Sequence, residues 1–317
     1  MNTFLQFIKQ KRGRLFIQTH NFPDHDAVAS AFALHRLLIS HLIDSRIIYE
    51  GEIQRESLTS TIEHIGIPLS KAASVDLNES DLIIVIDGCK GAKNVTDLPG
   101  QEIAVIDHHE VECPESVEFV DIRPSYGACS TLIYEYWKEA GLVPDRDVAT
   151  ALMIGLNMDT ALLTRDVSAN DVQAYSSLYT LCDMRLVSSI LRNYIQVKDL
   201  SFYKRAIEAL YIKGNFCFCY FAEGCNQNLL GILGDFFLSL EEALFVVLCA
   251  NNGGKINLSV RSENPEWNAA QIVEEILHGI GFGGGHADMA GGIIPNVKDF
   301  DELKIRESFQ RALGAGE

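Results

Sequence analysis

Short apolar runs alternate along the first half of the chain with stretches whose apolar positions recur every three or four residues, the periods of buried strand and amphipathic helix. Residues 3–10 predict a short amphipathic helix and Arg14–Thr19 a first strand, buried in the middle. Ala27–His41 predicts a helix, Ser45–Tyr49 a second strand, and residues 55–66 a helix stopped by Gly66. The run Leu82-Ile83-Ile84-Val85-Ile86 is unbroken and rich in β-branched residues. Strands covered on both faces have that character, so it predicts the centre of a parallel sheet. Residues 102–106 repeat the design, and Val117–Asp121 predicts a further strand. The stretch from Ser125 opens a helix that runs to Glu139 and stops at Gly141, and residues 147–158 predict a nearly all-apolar buried helix.

From Asp166 to about Ser201 the helical pattern carries mixed charge and reads as connector helices. A second strand-rich region follows, with Phe216–Phe221, a helix around 228–238, and Leu244–Cys249. Asn251-Asn252-Gly253-Gly254 is a hairpin turn signal leading into Lys255–Val260, and a helix covers roughly 268–279. The expected fold is α/β: a parallel-sheet domain over 1–195 with helices on both faces, a helical linker at 196–205, and a smaller α/β domain with a mixed sheet over 206–317.

The polar residues fall where the strands stop. His20, Asp24 and Asp26 follow the first strand, Asp87 the second apolar run, and Asp107-His108-His109 the third; Asp159-Thr160 ends the apolar helix. In open parallel sheets ligand sites collect at the carboxyl ends of strands. Taken singly, each residue has an ordinary explanation. Asp26 lies near a helix start, where carboxylates are favoured. Asp87-Gly88 is a common turn pair. Ser130 and Thr131 offer either simple capping or an anion site at a helix start. Together, the four carboxylates of Asp24, Asp26, Asp87 and Asp159 and up to three imidazoles converge on one sheet edge if the strands are parallel, and without cations such a cluster repels itself. Two divalent ions about 3.5–4 Å apart remove that problem and suit displacement at phosphorus. Mixed imidazole and carboxylate donors suit manganese and admit zinc or iron.

Composition narrows the partners. The net charge of −17 disfavours extended contact with a nucleic-acid backbone, which requires many Lys and Arg. Eight cysteines without a CxxC pair fit a reducing, cytoplasmic setting, and Cys217-Phe218-Cys219 places two thiols on one strand face. No apolar run reaches the ~20 residues that span a bilayer, so no membrane partner is expected. The apolar N-terminal positions give way quickly to Lys9, Lys11, Arg12 and Arg14, unlike a signal peptide.

The order HxxPDxD, an Asp after a buried strand, Asp-His-His, Asp-Thr, and late Gly283-Gly284-Gly285-His286 resembles the DHH phosphoesterase family, in the branch with the DHH-associated C-terminal domain. The resemblance runs from His20 to Gly292. It implies one ion on His20, Asp24 and Asp87 and another on Asp26, Asp87, His108 and Asp159, with Asp87 bridging. It also implies that His109 touches the substrate phosphate or leaving oxygen and that Asp107 orients an imidazole. In the C-terminal domain, Arg261, Ser262 and His286 with the Gly284 and Gly285 amides would bind a terminal phosphate. Arg123, Ser130 and Arg165 are further substrate contacts to expect.

The implied activity is manganese-dependent hydrolysis of short linear oligonucleotides or dinucleotides to mononucleotides. A 3′-phosphatase on pAp is the close alternative, and homodimerisation is possible by analogy. Cyclic dinucleotides are less favoured because dedicated relatives often carry sensory segments upstream. A processive DNA exonuclease is disfavoured by acidity, an inorganic pyrophosphatase by the GGGH loop, and a non-catalytic nucleotide-binding regulator by the intact ligand set. Two departures stand out. His25 lies between the aspartates where the family tends to place a small residue, and Ala161-Leu162-Leu163 is bulkier than the Gly-rich segment expected there.

Overall fold

A computed structural model of the chain describes residues 3–90, 94–192 and 195–314. It divides into two compact units, Met1–Tyr194 and Ile195–Glu317, each with its own sheet and core. The first unit runs α1 (Thr3–Lys9), β1 (Leu15–Thr19), α2 (His25–Ser40), β2 (Arg46–Tyr49), α3 (Glu56–Ile65), β3 (Leu69–Lys71), β4 (Leu82–Ile86), β5 (Gln101–Asp107), β6 (Phe119–Ile122), α4 (Cys129–Glu139), α5 (Arg146–Asp159), α6 (Ala169–Tyr179) and α7 (Met184–Arg192). Its six strands are all parallel, in the order β3-β2-β1-β4-β5-β6. The order reverses between β1 and β4, and a crevice opens at such a switch point beyond the carboxyl ends of the strands. Thr19 pairs with Ile86, and Ile86 with Ile106. The next residues of all three strands therefore leave along one edge: His20, Asp87 and Asp107.

Ile17, Ile47, Ile84 and Ile106 turn to one face of this sheet and join Val28 and Leu34 of α2, Ile133 of α4, and Leu152 of α5 in one buried core. The other face, with Phe16, Ile48, Ile83, Val85 and Val105, is packed by Ala72, Val75, Leu77, Val95, Leu98 and Val117. These come from a 3-10 turn at Ala72–Ser74 and from irregular chain. Among the described residues, helices thus cover one face rather than both. The stretch 166–192 also differs from its reading as connectors: Leu178 of α6 and Val187 and Ile190 of α7 are buried in the first unit's core. Ser168 and Asp171 start α6 with a capping box.

The second unit runs α8 (Leu200–Ala209), β7 (Tyr211–Lys213), β8 (Phe216–Phe221), α9 (Gln227–Leu238), β9 (Phe245–Asn252), β10 (Lys255–Ser262), α10 (Ala269–Leu277), β11 (Phe282–Gly285), β12 (Met289–Ile294) and α11 (Glu302–Ala312). The sheet order is β11-β12-β10-β9-β8-β7, with only β8–β9 parallel. Residues 196–205 belong to this unit as a 3-10 turn and α8, whose Ala206 is buried with Cys217, Cys219 and Leu233. The β9–β10 hairpin turns on Gly253 and Gly254, both with positive φ, as its two-residue loop requires. The glycine stretch is not a free loop: Phe282–Gly285 is an edge strand paired antiparallel to β12. A Cβ on Gly285, at φ +147, would overlap the Met289 carbonyl, so the strand closes only around glycine.

Candidate metal centre

At the switch point Asp24 caps α2, its Oδ1 accepting the Asp26 and Ala27 amides at 3.0 and 3.1 Å. Asp26 enters the helix's first turn and is buried. It in turn caps α4: Oδ2 accepts the Cys129 amide at 2.6 Å and Oδ1 the Ser130 amide at 2.9 Å. The helix N-terminus that the sequence left open between simple capping and an anion site is therefore filled by the protein's own carboxylate. Ser130 is fully buried, its hydroxyl 3.4 Å from that of Ser30, which corrects its reading as a substrate contact.

Two donor sets meet here. His20, Asp24 and Asp87 form one, and Asp26, His108 and Asp159 the other, while His109 makes a third grouping with Asp87 and His108; within each, the donor atoms lie within 4.8 Å of one another. Asp87 faces both, with Oδ2 3.8 Å from His20 Nε2 and Oδ1 3.4 Å from His108 Nε2. Asp159 Oδ2 is 3.0 Å from His108 Nε2. Backbone carbonyls hold the far side of both rings: Asn21 O at 2.8 Å from His20 Nδ1, and Tyr126 O at 3.1 Å from His108 Nδ1. A carbonyl only accepts, so each Nδ1 carries the hydrogen and each Nε2 can offer a lone pair to a metal.

The donor atoms fit cations better than one another. Asp87 Oδ1 and His108 Nε2 are buried and make no hydrogen bond of acceptable geometry. Burial pushes the Asp87 carboxyl up, and burial with the nearby Asp87 and Asp159 charges pushes Asp26 far up. Burial alone would lower the imidazoles, but Asp24 and Asp87 lift His20 to about 10, and Asp159 and Asp87 lift His108 to about 12. Carboxylates and imidazoles at this spacing compete for protons, which divalent ions would replace.

His109 lies to one side. Asp107 Oδ1 accepts its Nδ1–H at 2.8 Å and the amides of His108 and His109 at 2.7 and 3.1 Å. The hydrogen bond to Asp107 raises the His109 pKa above its ordinary value. With Nδ1 engaged, its Nε2 is left for proton transfer or phosphate contact.

Arg123 is spent elsewhere, correcting its expected substrate role: Nε and Nη2 grip Asp121 at 2.8 Å each, and Nη1 meets Glu135 at 2.8 Å. Arg165 donates to the Asp159 carbonyl at 2.6 Å, bracing the chain after that residue. In the second unit Arg261 lies along α9, donating to Asp235 at 2.5 Å, Ser259 Oγ at 3.1 Å and Gly231 O at 3.4 Å. Gly231 and Gly234 leave room for it. Ser262 is buried with its hydroxyl on Asn264 O, and His286 is exposed, its amide donating to Met289 O at 2.7 Å.

Sequence reading missed two supports. Asp171, fully buried, accepts the Gly127 amide at 2.9 Å and the Thr131 hydroxyl at 2.5 Å, fixing the turn whose Tyr126 carbonyl aims His108. Its signal was the Ser168-x-x-Asp171 cap, which says nothing of the tertiary contact. Gly155, inside α5, lies where a Cβ would overlap Ser130 Oγ and come within 2.9 Å of Asp26 Oδ1. Strain gathers here too. Of the seven non-glycine residues with positive φ among those described, Phe22, Asp87, Ala161, Leu162, Leu163 and Asp166 all lie in ligand-bearing loops. Each such residue costs about 1–3 kcal/mol and persists only where the surroundings impose it.

Residues 14–156 match the model of the DHH family N-terminal domain, and residues 213–312 match the DHHA1 domain. The chain belongs to the DHH family. The DHH chain is 30% identical over 288 residues to the uncharacterized protein MJ1633 of Methanocaldococcus jannaschii, covering 90% of this chain and 59% of that protein. It is 25% identical over 179 residues to a probable manganese-dependent inorganic pyrophosphatase of Streptococcus equi, covering 55% of this chain and 57% of the relative. It therefore spans under two thirds of the length of these curated relatives. An exopolyphosphatase-related protein of Bacteroides fragilis shares the fold at TM-score 0.78 and 16% identity, over 98% of this chain and 95% of that one. RecJ of Thermus thermophilus in complex with Mn2+ matches at TM-score 0.57 and 15% identity, over 98% of the DHH chain and 53% of RecJ. No helix among the described residues is long and apolar enough to cross a membrane.

Proposed function

We propose that this chain is a two-metal phosphoesterase, with manganese the preferred ion, that hydrolyses short linear oligonucleotides and dinucleotides such as pGpG or pApA to mononucleotides. The observation that carries the reading is the pair of donor sets joined through Asp87, with buried donor atoms left unbonded on facing residues. His20, Asp24 and Asp87 would hold one ion; Asp26, Asp87, His108 and Asp159 would hold the other. Bound divalent ions would supply a water acidified to near neutral pKa and offset charge on the phosphoryl oxygens. Asp26 is fixed by two helix amides, so its ligand position is set before an ion arrives. Asp107 holds the His109 ring so that Nε2 can give a proton to the leaving oxygen.

The manganese-dependent pyrophosphatase relative and the Mn2+-bound RecJ fold support the choice of metal. The DHHA1 match over 213–312 supports a substrate larger than pyrophosphate, with His286 and the Gly284 and Gly285 amides on its terminal phosphate. Arg261 would join them only by sharing or leaving Asp235. The test is a panel with Mn2+: linear dinucleotides, five-mers, pAp, cyclic dinucleotides and pyrophosphate. Fastest kcat/KM on a linear dinucleotide supports the reading. Turnover of pyrophosphate or pAp alone, or of nothing, would overturn it.

A further inference from the structure

One side chain beside the metal centre is held open to solvent at a cost that folding does not explain. Phe22 sits between His20 and Asp24, has φ 55, and is 52% exposed. A bulky aromatic residue rarely adopts this backbone conformation. Two neighbours impose it: the Phe22 amide donates to the Glu50 carbonyl at 2.9 Å, and one edge of the ring lies over Gly51. A Cβ on Gly51 would come within 2.7–2.9 Å of the ring atoms, so the loop after β2 is shaped to seat a phenyl group there. These contacts fix the ring's position while leaving it half open to solvent.

We propose that Phe22 is a stacking platform for a nucleobase of the substrate, on the nucleoside adjoining the scissile phosphate. The inference rests on the nucleotide reading above and names what in the first unit recognises more than phosphate. Every base has a π-face, so such a platform favours nucleotides over base-free phosphates while tolerating different sequences. The position suits this role because Phe22 is two residues from each of two proposed ligands, which ties the ring to the phosphate under attack. Leu162, 59% exposed and also left-handed, lies three residues after Asp159.

The test uses the full chain and reads binding as well as turnover. In Phe22→Trp the new indole reports directly, against wild type carrying Trp137 and Trp267 as background. AMP should quench the added fluorescence, and ribose 5-phosphate at equal concentration should not. In Mn2+-supported turnover of a linear dinucleotide, Phe22→Ala and Phe22→Leu should each raise KM about 5- to 100-fold, the range for losing one base stack, with a smaller change in kcat. Phe22→Tyr should restore KM. Equal responses to AMP and ribose 5-phosphate, or a Phe22→Leu variant with wild-type KM, would overturn the proposal. If the wild type turns over no nucleotide at all, the functional reading fails instead, and the AMP titration still reports on the ring.

Discussion

Replacing Gly155 by alanine sets two physical effects against each other at the metal centre. In an exposed helix the change would stabilise the protein by about 1 kcal/mol, because glycine is the poorer helix former. Here the added methyl would overlap Ser130 Oγ and lie 2.9 Å from Asp26 Oδ1 and 3.0 Å from Ala29 Cβ. Ser130 and Asp26 are buried, and Asp26 is pinned by the Cys129 and Ser130 amides, so neither has free space to enter. Overpacking of this kind costs about 1–3 kcal/mol. The clash should win, leaving Gly155→Ala less stable by up to about 2 kcal/mol. A displaced Asp26 should also cost roughly tenfold in affinity for the ion proposed to bind there, the lower end of the loss expected when a ligand's supports are disturbed. Urea unfolding of the chelated protein and Mn2+ titration of the folded one would measure the two effects. A variant as stable as wild type, with unchanged Mn2+ affinity, would refute both the close packing and the role given to Asp26.

Three other outcomes follow from the same geometry. Arg123→Met should lose about 1–3 kcal/mol in urea unfolding, because Asp121 and Glu135 lose their common partner while partly shielded from solvent, and KM for a dinucleotide should stay unchanged. His286→Ala should raise KM for 5′-phosphorylated dinucleotides about tenfold while leaving Mn2+ stoichiometry intact, as loss of one phosphate contact implies. Because the neighbouring aspartates raise the pKa values of His20 and His108 well above the ordinary imidazole range, ion binding at pH 7.5 should expel protons. Affinity should therefore fall as pH falls; calorimetry in two buffers of different ionisation enthalpy should show at least one proton released, and none released would contradict the protonation scheme.

Much of the first unit was legible because its chemistry sits at the ends of buried strands. Leu82–Ile86 and the run into Asp107 are apolar throughout, and the parallel register then aligns whatever residue comes next. The Asp-His-His triplet and the HxxPDxD turn owe their visibility to that alignment. What stayed hidden depends on contacts distant in sequence. Nothing local to Ser130 says that its amide serves Asp26, and nothing local to Arg123 says that Glu135, on α4, holds it together with Asp121. Gly155 looks like a weak point in a helix until α2 and α4 are packed against it. The glycines at 283–285 have the composition of a loop, yet they pair antiparallel with β12 as a strand, and at Gly283 and Gly285 the space available admits no side chain.

The most direct measurement is the number of Mn2+ ions bound per chain after chelation and calorimetric titration, in wild type and in Asp87→Asn. Two ions per wild-type chain are expected, falling to one or none in the variant because Asp87 faces both donor sets. A wild type that binds no more than one ion, or an Asp87→Asn variant that binds two with unchanged affinity, would contradict the bridged centre.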